Sequence, residues 1–198
     1  WPDRFSCAGY AGYWIARLAR DEAKKAPHPR KGCDMGNLAD MTYLHPAAPG
    51  NGLQRLLIPI DASTESRWGL RHAVQLAAAG QPVDVCLLYV AEPVRNWEVL
   101  RFYSEDEVRQ HFQERAAIFL EEAAETLHQA GLPCRRFFRE ADPVGGIIDL
   151  AEELQCTAIV VPATHCLGLF PTGLGRKLLN RQGSIPVTLV GADGSTVV

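Results

Sequence analysis

Leu56-Leu57-Ile58-Pro59-Ile60-Asp61-Ala62-Ser63-Thr64-Glu65-Ser66 is an apolar run closed by an acid and a short polar turn, and a helical pattern starts directly after it. An apolar run of this length bounded by turn residues predicts a buried strand, and a strand feeding a helix opens an α/β unit. In open parallel sheets ligands sit beyond the carboxyl ends of the strands, so an acid at this point is placed to meet a bound molecule. Asp61 is therefore the first candidate site residue. The competing reading is an acid that caps the turn into the helix.

Working outward, strand and helix patterns alternate from Leu53 to the end. Residues 67–79 carry Leu70, Ala73, Val74 and Ala77 at helical spacing, with Gly80 as the terminator. Residues 83–90 are almost continuously apolar, as a strand buried on both faces must be. Ser104-Glu105-Asp106-Glu107 is a capping box, after which Val108, Phe112, Phe119, Ala123, Leu127 and Ala130 mark one face of a long helix stopped by Gly131 and Pro133. A third strand is expected over 134–139. Asp142-Pro143 supplies an N-cap and a proline at the first helical position, with Val144, Ile147, Ile148, Ala151 and Leu154 lining the helix that follows. Gly145 and Gly146 in its first turn cost about 1 kcal/mol each against alanine, which points to close backbone packing. Strands at 157–161 and 186–190 complete the pattern. Strands joined by helices imply right-handed crossovers and a parallel sheet covered on both faces.

Residues 1–52 differ in character. They are rich in glycine and proline and end in Pro46-Ala47-Ala48-Pro49-Gly50-Asn51-Gly52, which reads as a linker. Tyr10 to Lys25 forms an amphipathic pattern with Tyr13, Trp14, Leu18 and Ala19 on one side. That aromatic stripe needs cover, from its own domain, a dimer mate, a separate partner or an upstream part of a longer protein. The expected organisation is an extension over 1–52 and an α/β domain over 53–198. The chain begins at Trp1, which fits a processed or truncated start or a piece of a longer protein.

A formal charge of −3 gives no basic field of the kind that binds nucleic acid or anionic lipid. No window approaches the roughly 20 apolar residues of a membrane span, and no secretory leader pattern is present, so a cytoplasmic location is expected. Cys7, Cys33, Cys86, Cys134, Cys156 and Cys166 are scattered without a C-x-x-C spacing. Small buried thiols are the expected role, ahead of metal or redox pairing. The motifs of serine hydrolases, zinc peptidases and Walker-type ATPases are missing, and a binding or regulatory role is expected in place of an enzyme.

Over Leu53 to Val190 the residues resemble the universal stress protein family. Leu57-Ile58-Pro59-Ile60-Asp61-Ala62-Ser63 resembles its strand-Asp-Gly-Ser opening, with Ala62 in place of glycine. Leu87-Leu88-Tyr89-Val90-Ala91-Glu92-Pro93 resembles its second strand and exit, Ala141-Asp142-Pro143 its Gly-Asp-Pro helix start, and Ile185-Pro186-Val187-Thr188-Leu189-Val190 its terminal strand. The resemblance implies an open five-stranded parallel sheet of order 3-2-1-4-5 with helices on both faces, like that of the adenine-nucleotide α-hydrolases, and a homodimer through the last strand. It also implies ATP or AMP as ligand, the adenine near Asp61, Ala62 and the backbone of Val90, and the phosphates on a G-x-x-G-x9-G-[S/T] loop after the fourth strand.

That loop departs from the pattern. In Pro162-Ala163-Thr164-His165-Cys166-Leu167-Gly168-Leu169-Phe170-Pro171-Thr172-Gly173-Leu174-Gly175-Arg176 the two leading glycines are Ala163 and Cys166, and the later Gly-[S/T] pair is displaced or reduced to Thr172-Gly173. Glycines let backbone N–H groups approach phosphate oxygens without a Cβ in the way. Gly168, Gly173 and Gly175 with Arg176 and Lys177 form either an altered anion site or turn glycines and a solvated helix start. Ala163, Thr164, His165, Gly168, Thr172 and Gly173 remain the phosphate-side candidates. His165 has an alternative local hydrogen-bonding role, and Trp97, Phe102 and Tyr103 are candidates for a lid or a satellite cluster. Three readings follow: a dimeric regulatory protein with degenerate or lost ATP binding, an ATP- or AMP-dependent switch, and a soluble domain of a larger transporter or assembly.

Overall fold

The computed structural model describes residues 52–94, 104–163, 173–181 and 183–197. Five strands, β1 (Gln54–Pro59), β2 (Val83–Ala91), β3 (Cys134–Glu140), β4 (Ala158–Pro162) and β5 (Val187–Val190), form one parallel sheet in the order β3-β2-β1-β4-β5. The parallel sheet is what the strand-helix alternation predicts, and its order is the one the family resemblance implies. Four helices join them: α1 (Trp68–Ala78), α2 (Glu105–Gln129), α3 (Pro143–Glu153) and α4 (Leu174–Asn180).

Successive strand residues point to opposite faces, and the two apolar clusters divide on that alternation. Leu56, Ile58, Ile60, Val83, Val85 and Leu87 pack with α1 and α2. Leu57, Cys86, Leu88, Ile159 and Val161 pack on the other face with α3 and α4. A central strand in such a sheet cannot alternate polar and apolar residues, which is why 56–58 and 85–88 read as unbroken apolar runs.

Helix ends follow local chemistry. Ser104 Oγ accepts from the Glu107 amide at 3.2 Å, and Glu107 Oε2 accepts from the Ser104 amide at 2.8 Å, so the capping box is complete. These bonds hold the Glu107 carboxyl below its ordinary range. Asp142 Oδ2 accepts from the Gly145 amide at 2.8 Å to cap α3. Gly80 has φ +81, and the Gln81 amide reaches back to the Leu76 carbonyl at 3.1 Å, closing α1 with a glycine-dependent turn.

One detail differs from the sequence reading. The buried stripe of α2 is Ala116, Leu120, Ala123, Ala124 and Leu127, while Val108, Phe112 and Phe119 are half-buried and Ala130 is exposed. Alanines permit the close approach to the sheet, and the larger side chains flank it. Gly173 precedes the first turn of α4, on which Arg176 and Lys177 are exposed. The predicted extension over 1–52, with its helix at 10–25, and the aromatic segment containing Trp97, Phe102 and Tyr103 lie outside the described residues.

Charge enters the sheet at its other end. Arg55 is 5% exposed; its Nε donates to Asp84 Oδ2 at 2.8 Å and its guanidinium to the Leu154 carbonyl at 2.8 Å. Arg135 donates to the same Asp84 oxygen at 2.7 Å and to the Cys86 sulfur at 3.3 Å. A hydrogen bond from Cys156 holds the Cys86 thiol below its ordinary value, and donating that bond, together with burial, pushes Cys156 up. Cys86 and Cys156 are buried and Cys134 half-buried, in keeping with the expected role. Removing one partner from a buried ion pair leaves the other charge without compensation. Asp84→Ala, which removes the carboxylate shared by both guanidiniums, is expected to cost about 3 kcal/mol in urea unfolding. Arg135→Ala, at the more exposed end, is expected to cost less.

Candidate functional site

β1 lies between β2 and β4, and the chain leaves it by α1 on one face while α3 leads into β4 on the other. The switch point of the sheet is therefore beyond the carboxyl end of β1, where Asp61 stands. The β1–β2 register ends at Pro59 opposite Leu88, with one further bond from the Ile60 amide to the Leu88 carbonyl at 2.8 Å. Val90 thus extends past the end of β1.

Asp61 is exposed, and its Oδ1 accepts from both the backbone amide and the hydroxyl of Ser63, at 2.8 and 2.5 Å. Ser63 Oγ in turn accepts from the Ser66 amide at 3.2 Å, and the buried Ser66 hydroxyl donates to the Ser63 carbonyl at 2.9 Å. Asp61 therefore shapes the turn from β1 into the short 3-10 turn Glu65–Arg67 ahead of α1. Neither the 3-10 turn nor α1 has a side-chain cap, so the Asp61 carboxylate acts on the turn through Ser63 alone, and the residue is exposed at the sheet mouth. Ala62 is exposed in the same turn.

Val90 is half-buried and turned toward α3: a Cβ added at Gly146 would lie 3.5 Å from its Cγ1 and 3.0 Å from the Ala141 Cβ. The close packing predicted for the glycine pair belongs to Gly146, since at Gly145 the nearest atom is the capping Asp142 carboxylate at 3.3 Å. On the opposite face Tyr89 stacks with Phe119 and Phe138, centroids 6.0 and 6.3 Å away, and Arg115 lies 5.6 Å from the Phe119 centroid. Burial pushes the Tyr89 phenol up; Arg115 opposes this and the Asp61 carboxylate adds to it. Tyr89 thus feels both the Arg115 guanidinium and the Asp61 carboxylate. The sequence reading placed Tyr89 only as a strand residue and did not single out Arg115.

Of the phosphate-side candidates, Ala163 is 3% exposed and donates its amide to the Val190 carbonyl at 2.8 Å, extending the β4–β5 pairing. Gly173 is exposed at the start of α4 with φ +89, a conformation that favours glycine. Gly175 serves packing: a Cβ there would lie 3.1 Å from Leu189 and 3.6 Å from Val161. Arg176 and Lys177 are exposed on α4. Thr164, His165, Gly168 and Thr172 lie outside the described residues, as does Cys166.

A cavity of about 410 Å³, lined by Ile148, Ile159, Leu178, Arg181 and Ile185 among others, lies between α3, α4 and the sheet, and none of the described candidate residues lines it. Among the described residues no three His, Cys, Asp or Glu side chains gather to hold a metal ion, and no helix is long and apolar enough to cross a membrane.

Residues 52–184 match the model of the universal stress protein family. Similar solved structures share the fold. A universal stress protein family member from Burkholderia pseudomallei is 20% identical with a TM-score of 0.56, the match covering 72% of this chain and 98% of that one. A universal stress protein in complex with cAMP is 18% identical with a TM-score of 0.53, covering 69% and 96%. An Arabidopsis thaliana family protein with AMP bound is 14% identical with a TM-score of 0.51, covering 73% and 99%. Among curated proteins none matches the chain.

The double acceptor role of Asp61 generates a test of the turn. Asp61→Ala is expected to lower stability by about 1 kcal/mol in urea unfolding, while Asp61→Asn, whose amide oxygen accepts the same two bonds, stays near the parent. Equal losses for the two variants would show that the turn does not depend on this acceptor.

Proposed function

Because the chain belongs to the universal stress protein family, we propose that it is a regulatory, partner-binding protein of the cytoplasm in which nucleotide binding of the usual design has been lost or altered. The observation that carries this reading is Ala163. Its methyl group replaces a leading glycine of the phosphate loop, and its amide is already spent on the Val190 carbonyl. A phosphate held at this point would need a free N–H and no Cβ in its approach. Cys166 repeats the departure three residues on. A capacity to pair two copies through the β5 edge, when that edge is free, belongs to the same reading.

A second reading, an ATP- or AMP-dependent switch, draws on relatives described as complexes with cAMP and AMP. In its favour are the exposed Asp61 carboxylate, the backbone beyond β1 at Val90, and Gly173 followed by Arg176 and Lys177. Adenine contacts would fall on the Asp61, Ala62 and Val90 side. Phosphate contacts would then require Thr164, His165, Gly168, Thr172 and Gly173 to build a cradle that differs from the family pattern.

Isothermal titration with ATP, ADP and AMP separates the two. The first reading expects no heat beyond dilution at protein concentrations that detect micromolar binding. Micromolar affinity for any of the three overturns it, and in that case Asp61→Asn, which keeps the turn, should weaken binding if Asp61 contacts the ligand.

A further inference from the structure

The segment after β5 turns back on its own strand. The Val197 amide donates to the Leu189 carbonyl at 2.8 Å, the Gly191 amide to the Ser195 carbonyl at 2.9 Å, and Val190 bridges to Thr196 in antiparallel fashion. β5 is the last strand of the sheet. Its inner side is taken by β4, through the Ile159 amide on the Pro186 carbonyl and the Ala163 amide on the Val190 carbonyl. By alternation Leu189 presents its backbone outward, where Val197 meets it, and Val187 faces the same way beyond the returning segment. Residues 191–197 therefore close the distal half of an edge that would otherwise be a template for another strand.

The closure is anchored on α1. His72, 9% exposed, donates its Nδ1 hydrogen to the Gly194 carbonyl at 2.9 Å. Gln75 donates to the Asp193 carbonyl at 2.6 Å, and Arg71 donates to the Ala192 carbonyl. Asp193 Oδ1 accepts from the Ser195 amide and hydroxyl at 3.0 and 2.7 Å, fixing the turn. Gly194 is buried with φ +86, and a Cβ there would lie 3.0 Å from Arg71 and His72 backbone atoms. The turn fits against α1 only with glycine at that place.

We propose that residues 191–197 are a strap that gates self-association: a second copy of this chain pairs with the β5 edge only when the strap is released from α1. The strap runs antiparallel to β5, so the edge accepts an antiparallel strand. That is the orientation which a twofold-related β5 must take, and a twofold edge-to-edge contact is self-complementary. The inference rests on the reading of β5 as the dimer edge and is independent of whether a nucleotide binds.

The test is sedimentation of the full chain over a range of concentrations, with hydrogen exchange at the Val197 amide. The parent is expected to be monomeric with that amide protected. Gly194→Val should release the strap and tighten dimerisation about tenfold or more, since the open state is then fully populated. Arg71→Ala combined with Gln75→Ala removes two exposed donors and should shift the equilibrium in the same direction by less. Gly80→Ala, at φ +81 with nothing within 4 Å of the added Cβ, is the control for a strained turn away from the strap. Far-UV circular dichroism establishes folding, and should Gly194→Val unfold, the double variant decides. A folded, strap-free variant that stays monomeric overturns both the gate and pairing through β5. A parent that is dimeric with Val197 protected overturns the gate alone, as does a parent whose Val197 amide exchanges freely.

Discussion

Burial of β1 on both faces is the constraint from which the rest of the domain follows. Leu56, Leu57 and Ile58 are each 2% exposed or less, and they alternate between two separate apolar clusters. Fully burying such a side chain is worth about 1.5–3 kcal/mol, and only a central strand with helices above and below can collect it from consecutive residues. Once β1 is central, its neighbours β2 and β4 carry the chain to opposite faces. The mouth beyond Pro59 then becomes the switch point, and Asp61 is at the mouth because it follows the strand that had to be in the middle.

The two ends of the sheet are built from different physics. At the amino ends of the strands charge is drawn inside and compensated, with Asp84 shared between Arg55 and Arg135. At the carboxyl ends the polar groups are spent on turns and strand extension, as the Ser63 bonds to Asp61 and the Ala163 bond to Val190 illustrate. Val90 connects this mouth to α3, because Gly146 lets the helix sit against its side chain. The aromatic stack of Tyr89, Phe119 and Phe138 makes the equivalent connection on the α2 side.

The five strands, the first three helices and both helix caps were legible because each rests on short-range signals: apolar runs, Ser104 with Glu107, Asp142 with Pro143; the strand order was legible only through the family resemblance. The buried stripe of α2 was less legible. Large apolar residues such as Phe112 dominate a periodicity reading, whereas close packing on a sheet is made by small ones such as Ala116 and Ala123. Asp61 could be found from its place after a strand. Arg115 could not, since its place beside Tyr89 and Phe119 depends on how α2 is laid across β2. The partnership of His72 with Gly194 spans 122 positions and leaves no local trace in either segment.

That separation has a consequence for how the domain forms. A chain made from its amino end completes α1 long before residues 191–197 exist, so His72 and Gln75 wait for partners that nothing earlier in the sequence supplies. Residues 191–197 follow β5 directly, and once β5 has docked beside β4 the remaining closure spans only a short loop. The slow step is thus the docking of β5 itself, and the cover of its outward carbonyls arrives with it, which shortens the time in which that row of hydrogen bonds is open to another chain.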